Sequence, residues 1–123
     1  MRSRNLKISL IIFGALHIAQ GVVLIVAPDR AAEFTGFEEI AAFFLAIIGA
    51  TFVAAGVSFA ISGLDPLGNI NGVRFAVLWA SLLLVIQLYS LGQGYVDFSQ
   101  IWPGVVESAV FTVAFLVFYP YRR

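Results

Sequence analysis

Four long apolar runs fill most of this chain, and they constrain its fold more than any other feature. Each is about 16–23 residues, enough to cross a hydrocarbon core of about 30 Å with or without tilt. A backbone inside lipid has to satisfy its own hydrogen bonds, which leaves helices or closed barrels. Runs this long and continuous are helical. The composition agrees: 61% of the residues are hydrophobic and 11% are charged, against about 45–50% and about 25% in soluble domains. The expectation is an all-α, polytopic membrane protein. A single four-transmembrane-helix bundle spans residues 1–123, with helices over about 8–27, 40–62, 73–91 and 105–120.

Punctuation between the runs supports these limits. Pro28 stops the first run. The connection 28–39 is polar and acidic, with Asp29, Arg30, Glu33, Glu38 and Glu39. The second run ends in Gly63-Leu64-Asp65-Pro66 and Gly68-Asn69, a dense turn signal. The third is followed by a loop over 92–104, and the fourth is expected to begin after Trp102-Pro103. Arg2, Arg4 and Lys7 precede the first run, as in a signal peptide. That run exceeds an h-region of about 7–15 residues, so it reads as an anchor that stays.

Basic residues near helix ends set orientation. The N-terminal tail carries Arg2, Arg4 and Lys7, the C-terminal tail Arg122 and Arg123, and the middle connection Arg74. The first connection has Arg30 alone and the third has none. Both termini and the middle turn are therefore expected in the cytoplasm, in an inner (plasma) membrane. Tyr95, Trp102, Tyr119 and Tyr121 fall where an aromatic belt would anchor the last two helices.

Small residues suggest the packing seams. Gly14 and Gly21 in the first helix, and Gly49, Gly56 and Gly63 in the second, recur at seven-residue spacing and so form stripes. Ala42, Ala46, Ala50 and Ala54 form a second stripe at four-residue spacing. Small stripes let helix backbones approach closely in lipid. The runs Ile12-Phe13-Gly14-Ala15 and Ile47-Ile48-Gly49-Ala50 also align, which chance similarity within a restricted membrane alphabet explains better than an inverted repeat.

Polar side chains inside the spans are costly and mark candidate sites. Counted by depth, His17 lies near the centre of the first helix, with Gln20 one turn further out. Gln87 in the third helix and Glu107 in the fourth fall at a depth similar to that of Gln20, so the expected constellation is His17, Gln20, Gln87 and Glu107. The bland alternatives are a neutral His17 bonded to a neighbouring helix, glutamines serving as interhelical bonds, and a Glu107 favoured by its place near a helix N-terminus. Thr51, Ser58, Ser62, Ser81 and Thr112 are expected to bond their own backbones.

The same inventory excludes several functions. Seven basic and seven acidic residues give zero net charge, which argues against a nucleic-acid partner. With no cysteine and one histidine, the chain alone supplies neither a thiolate cluster, a bis-histidine haem nor a multi-histidine metal site. No metal and no cofactor is expected.

Size, helix layout, the glycine-bearing first helix (Gly14, Gly21), its Ala27-Pro28 exit and a second helix with Gly49 and Ala55-Gly56 resemble the DoxX-like group of small four-helix membrane proteins. The likeness covers about the first half of the chain. It implies an accessory subunit, with some members of that group linked to oxidoreductase complexes, and it carries over no catalytic residue. Small multidrug transporters, by contrast, carry an acidic residue in the first helix, and Ile8–Ala27 has none.

The reading favours a non-enzymatic accessory or scaffold subunit, with lipid and another membrane protein, or a second copy of itself, as partners. One alternative is a homo-oligomeric transporter or channel with Glu107 as its polar site. Another is a lipid- or quinone-handling enzyme that moves protons through His17 or Glu107.

Overall fold

The computed structural model describes residues 1–28, 30 and 42–121. They form four helices: α1 (Arg2–Val26), α2 (Ala42–Leu64), α3 (Ile70–Gly92) and α4 (Phe98–Phe118). Each is long and apolar enough to cross a membrane. Asp29, Glu33, Glu38 and Glu39 of the acidic connection and Arg122 and Arg123 of the basic C-terminal tail lie outside the described residues.

Two boundaries differ from the sequence expectation. Helix α1 begins at Arg2 rather than near Ile8, because hydropathy reports the lipid-compatible stretch and a helix extends past it. Helix α4 begins at Phe98, not after Pro103. Asp97 starts it: its backbone N–H donates to Gln100 Oε1 at 2.8 Å, half of a capping box. Pro103 therefore sits inside the helix, where it removes one backbone donor.

The other ends have local causes. Ala27, the residue before Pro28, leaves helical geometry at φ −133°, ψ 64°. In the turn after α2, Asp65 Oδ1 accepts from the Gly68 N–H at 3.1 Å, and the Asp65 carbonyl accepts from the Asn69 side chain at 3.0 Å. Helix α3 ends in a Schellman motif: Gly94 has φ 72°, Tyr95 N–H donates to Ser90 O at 3.0 Å and Gly94 N–H to Leu91 O at 3.1 Å.

The helices run alternately up and down, and α1 packs most extensively on α2. The glycines meet across that seam. A Cβ built on Gly14 would lie 2.6 Å from the Gly56 carbonyl oxygen, and one on Gly21 would lie 2.5 Å from that of Gly49. The reciprocal distances are both 2.6 Å. Gly63 continues the line against Lys7 and Ile11. Here no side chain separates two antiparallel backbones. An antiparallel pair with equal spacing on both helices has a local two-fold by construction, so the aligned motifs need no common origin. The alanine stripe is not part of this seam: Ala50 and Ala54 are exposed.

The rest of the interior is filled by large side chains. Leu6, Leu10 and Phe13 of α1, Phe59 of α2, Val73, Ala76 and Ala80 of α3 and Phe115 of α4 form the main core. Phe13 stacks on Phe59 at 5.2 Å between centroids and meets Phe111 at 4.6 Å and Phe115 at 5.2 Å. This core lies at the end of the bundle that holds the N-terminus, the α2–α3 turn and the end of α4. Arg74 and Tyr119 tie that end together by an Nε–H to hydroxyl hydrogen bond of 3.2 Å. Beyond Ala80, α3 contributes no buried residue.

Candidate functional site

One stripe of α1 carries Phe13, His17 and Gln20 toward the other helices. His17 is 1% exposed. Its Nδ1 lies 3.0 Å from the Phe13 carbonyl, one turn back on the same helix. Its Nε2 lies 2.9 Å from Trp79 Nε1 on α3. An indole nitrogen can only donate. Nε2 must therefore be the bare acceptor and Nδ1 must carry the hydrogen, which it gives to Phe13. Both ring nitrogens are satisfied in a neutral imidazole. Phe13, Phe52, Phe59 and Trp79 surround the ring.

Gln20, one turn further along α1, reaches α4. Its Nε2 donates to Glu107 Oε2 at 2.6 Å. The side chain of Glu107 is 16% exposed. Its other oxygen, Oε1, is buried without a hydrogen-bond partner. His17 Nδ1 is 3.7 Å from that oxygen. The distance exceeds a hydrogen bond, and the Nδ1 hydrogen is already committed to Phe13, so the contact is not an ion pair.

Gln87 lies nearer the N-terminal end of α4. A Cβ added to Gly104 would lie 2.8 Å from Gln87 Nε2, so the Gln87 amide rests on the bare helix surface at Gly104. That point is one turn before Glu107 on α4. Gln87 Oε1 is also buried without a partner. The structure thus joins Gln20 directly to Glu107, sets His17 beside them, and places Gln87 one turn nearer the start of α4 instead of in the same layer. Depth counting placed it in one layer because it carries no information on helix tilt or offset.

Trp79 completes the cluster and was absent from the sequence expectation. A signal was there: Trp79 lies mid-helix, away from the interfacial positions tryptophan prefers, and a buried indole N–H needs an acceptor. Thr51 and Ser62 bond their own backbones, to Ile47 O at 3.0 Å and Ser58 O at 2.8 Å. Thr112 does not, and its hydroxyl is buried without a partner. Among the described residues no three His, Asp, Glu or Cys side chains come together in a metal-binding group. Compared with known protein families, curated proteins and solved structures, the chain matches none.

Proposed function

We propose that this protein is a non-catalytic subunit of a membrane complex, an accessory or scaffold bundle inserted with both termini in the cytoplasm. The observation that carries the reading is how the interior polar groups are used. His17 spends both nitrogens on hydrogen bonds, one of them to α3, and Gln20 spends its amide on α4. These are bonds that fasten helices in lipid. The resemblance to DoxX-like proteins points the same way and suggests an oxidoreductase complex as the host. Native mass spectrometry of the protein extracted gently from its source membrane tests this. A complex containing a different protein is expected, and a pure homo-oligomer would overturn the reading. The orientation has its own test. The chain has no cysteine, so a single cysteine at Leu67 should resist an impermeant thiol reagent applied from outside, and one at Tyr95 should react.

A second reading is favoured by one observation, the Glu107 Oε1 buried without a donor. An unsatisfied carboxylate oxygen inside a membrane bundle suits a polar solute or ion. We propose on that ground, as the alternative, a homo-oligomeric transporter or channel using Glu107. Flux that survives Glu107→Gln in proteoliposomes would exclude it.

A further inference from the structure

We infer that the Arg74 end of the bundle binds an anionic phospholipid, with the phosphate on the Arg74 guanidinium and an acyl chain along the exposed stripe of α3. The inference goes beyond both functional readings and rests only on the membrane insertion that they share. Arg74 is exposed, yet its head is held from two sides. Its Nε–H donates to the Tyr119 hydroxyl of α4 at 3.2 Å, and its Nη1 donates to Asn71 Oδ1 at 3.3 Å. Both acceptors are uncharged, so they fix the plane of the fork and leave its charge in place. A guanidinium carries more N–H donors than these bonds use. Among the described residues no carboxylate forms an ion pair with Arg74, and its Nη2 makes no hydrogen bond. A planar fork with free N–H groups matches a phosphate.

The surroundings add a field and an apolar track. Arg2, Arg4 and Lys7 share this end of the bundle with Arg74, and Asp65 is the acidic residue there among the described residues. Basic residues grouped at a membrane surface attract anionic headgroups. Leu78, Leu82 and Val85 follow Arg74 along one face of α3, and all three are exposed. A helical side chain covers the turn N-terminal to its own Cα, and Arg74 accordingly leans back to Asn71, away from that stripe. From Arg74 to Val85 the helix rises about 16 Å, the depth of one leaflet of a core about 30 Å thick. Charge at the helix end and apolar surface beneath it reproduce the order of groups in a phospholipid. A free phosphate ion would leave the stripe unused, and a lipid without net charge would leave the basic end unbalanced.

The test uses the whole chain in a non-ionic detergent. Native mass spectra are recorded with phosphatidylglycerol or phosphatidylcholine at equal concentration, and with sodium phosphate as competitor. A retained phosphatidylglycerol is expected, with phosphatidylcholine bound at least about fivefold more weakly. Arg74→Gln should weaken phosphatidylglycerol binding by about fivefold or more. Tyr119→Phe, which keeps the charge and frees the fork, should weaken it by about twofold. Arg30→Gln, the same charge change at the other end of α1, should leave it unchanged. Circular dichroism checks that each variant keeps its helices, as the exposure of Arg74 and Arg30 leads us to expect. Retention of phosphatidylcholine equal to that of phosphatidylglycerol, no retained lipid, binding that survives Arg74→Gln, or an equal loss in Arg30→Gln would each overturn the inference. Displacement of phosphatidylglycerol by inorganic phosphate would also overturn it, since the site would then belong to the free anion. A partner protein in the same spectra decides the accessory-subunit reading separately, so either can fail without the other.

Discussion

Helix α1 has two interfaces that solve the same problem in opposite ways. Toward α2 it presents Gly14 and Gly21, and two backbones meet with nothing between them. Toward α3 and α4 it presents Phe13, His17 and Gln20, and the gap is filled by aromatic rings and two interhelical hydrogen bonds. Were the four helices inserted in a bilayer, as proposed, the hydrophobic effect would favour neither arrangement, since acyl chains are as apolar as leucine. What remains is packing and polar pairing. The glycine seam maximises the first and has no tolerance for added atoms. The aromatic face uses both and can repack, because rings and amides have rotamers and a carbonyl oxygen in a helix does not.

The sharpest way to break this contrast is to add bulk to the seam. In Gly56→Leu the new Cβ would overlap Gly14 O, and the same holds for Gly21→Leu against Gly49 O. Neither obstacle can rotate away, so the helices must separate. We expect a loss of about 3 kcal/mol or more, read as collapse of the melting temperature in detergent by circular dichroism. Wild-type melting of either variant would show that the seam is not close-packed.

The polar face should respond to the loss of a partner more than to the loss of a group. Gln20→Leu leaves both Glu107 oxygens without a donor and should cost about 1–3 kcal/mol. Glu107→Gln keeps an acceptor for Gln20 and should cost less than half as much. Equal costs in the same melting assay would mean that the 2.6 Å contact contributes nothing. For His17 and Trp79 a double-mutant cycle isolates the bond: His17→Leu and Trp79→Phe together should cost less than the sum of the two, by about 1 kcal/mol. Additive costs would separate the two residues.

The two interfaces also differ in how far the sequence reveals them. Seven-residue glycine spacing in two successive helices puts each set on one stripe, and in an antiparallel hairpin those stripes have one obvious partner. The Gly14–Gly56 and Gly21–Gly49 pairs follow from that. Depth along α1 and α4 is likewise countable, which brought His17, Gln20 and Glu107 into one neighbourhood. Rotation of α3 about its axis is not countable, because its apolar residues are spread around the helix with no dominant face. That is why Trp79 was not expected on His17, whereas the place of Gln87 one turn from Glu107 reflects helix tilt or offset, which counting along each helix does not contain either. The start of α4 was hidden for another reason: the proline at 103 looked like a boundary, while the Asp97–Gln100 pair that sets the boundary lies in a stretch whose aromatics read as loop.

The finest comparison uses one substitution, Gly→Ala, at sites that differ only in what the new methyl meets. At Gly104 it meets Gln87 Nε2 at 2.8 Å, the far end of a flexible chain that can swing aside. At Gly92 it meets nothing within 4 Å. Alanine also stiffens the unfolded chain, a gain of about 0.4–1 kcal/mol where the site allows it. Gly92→Ala should therefore melt slightly above wild type, and Gly104→Ala within about 0.5 kcal/mol of it, whereas Gly14→Ala, facing a carbonyl oxygen and the Ala60 backbone, should melt below both. If Gly104→Ala instead fell as far as Gly14→Ala, the Gln87 amide would have to be held as firmly as a backbone. The half of α3 and α4 that holds Gln87 and Gly104 would then be as tightly packed as the glycine seam.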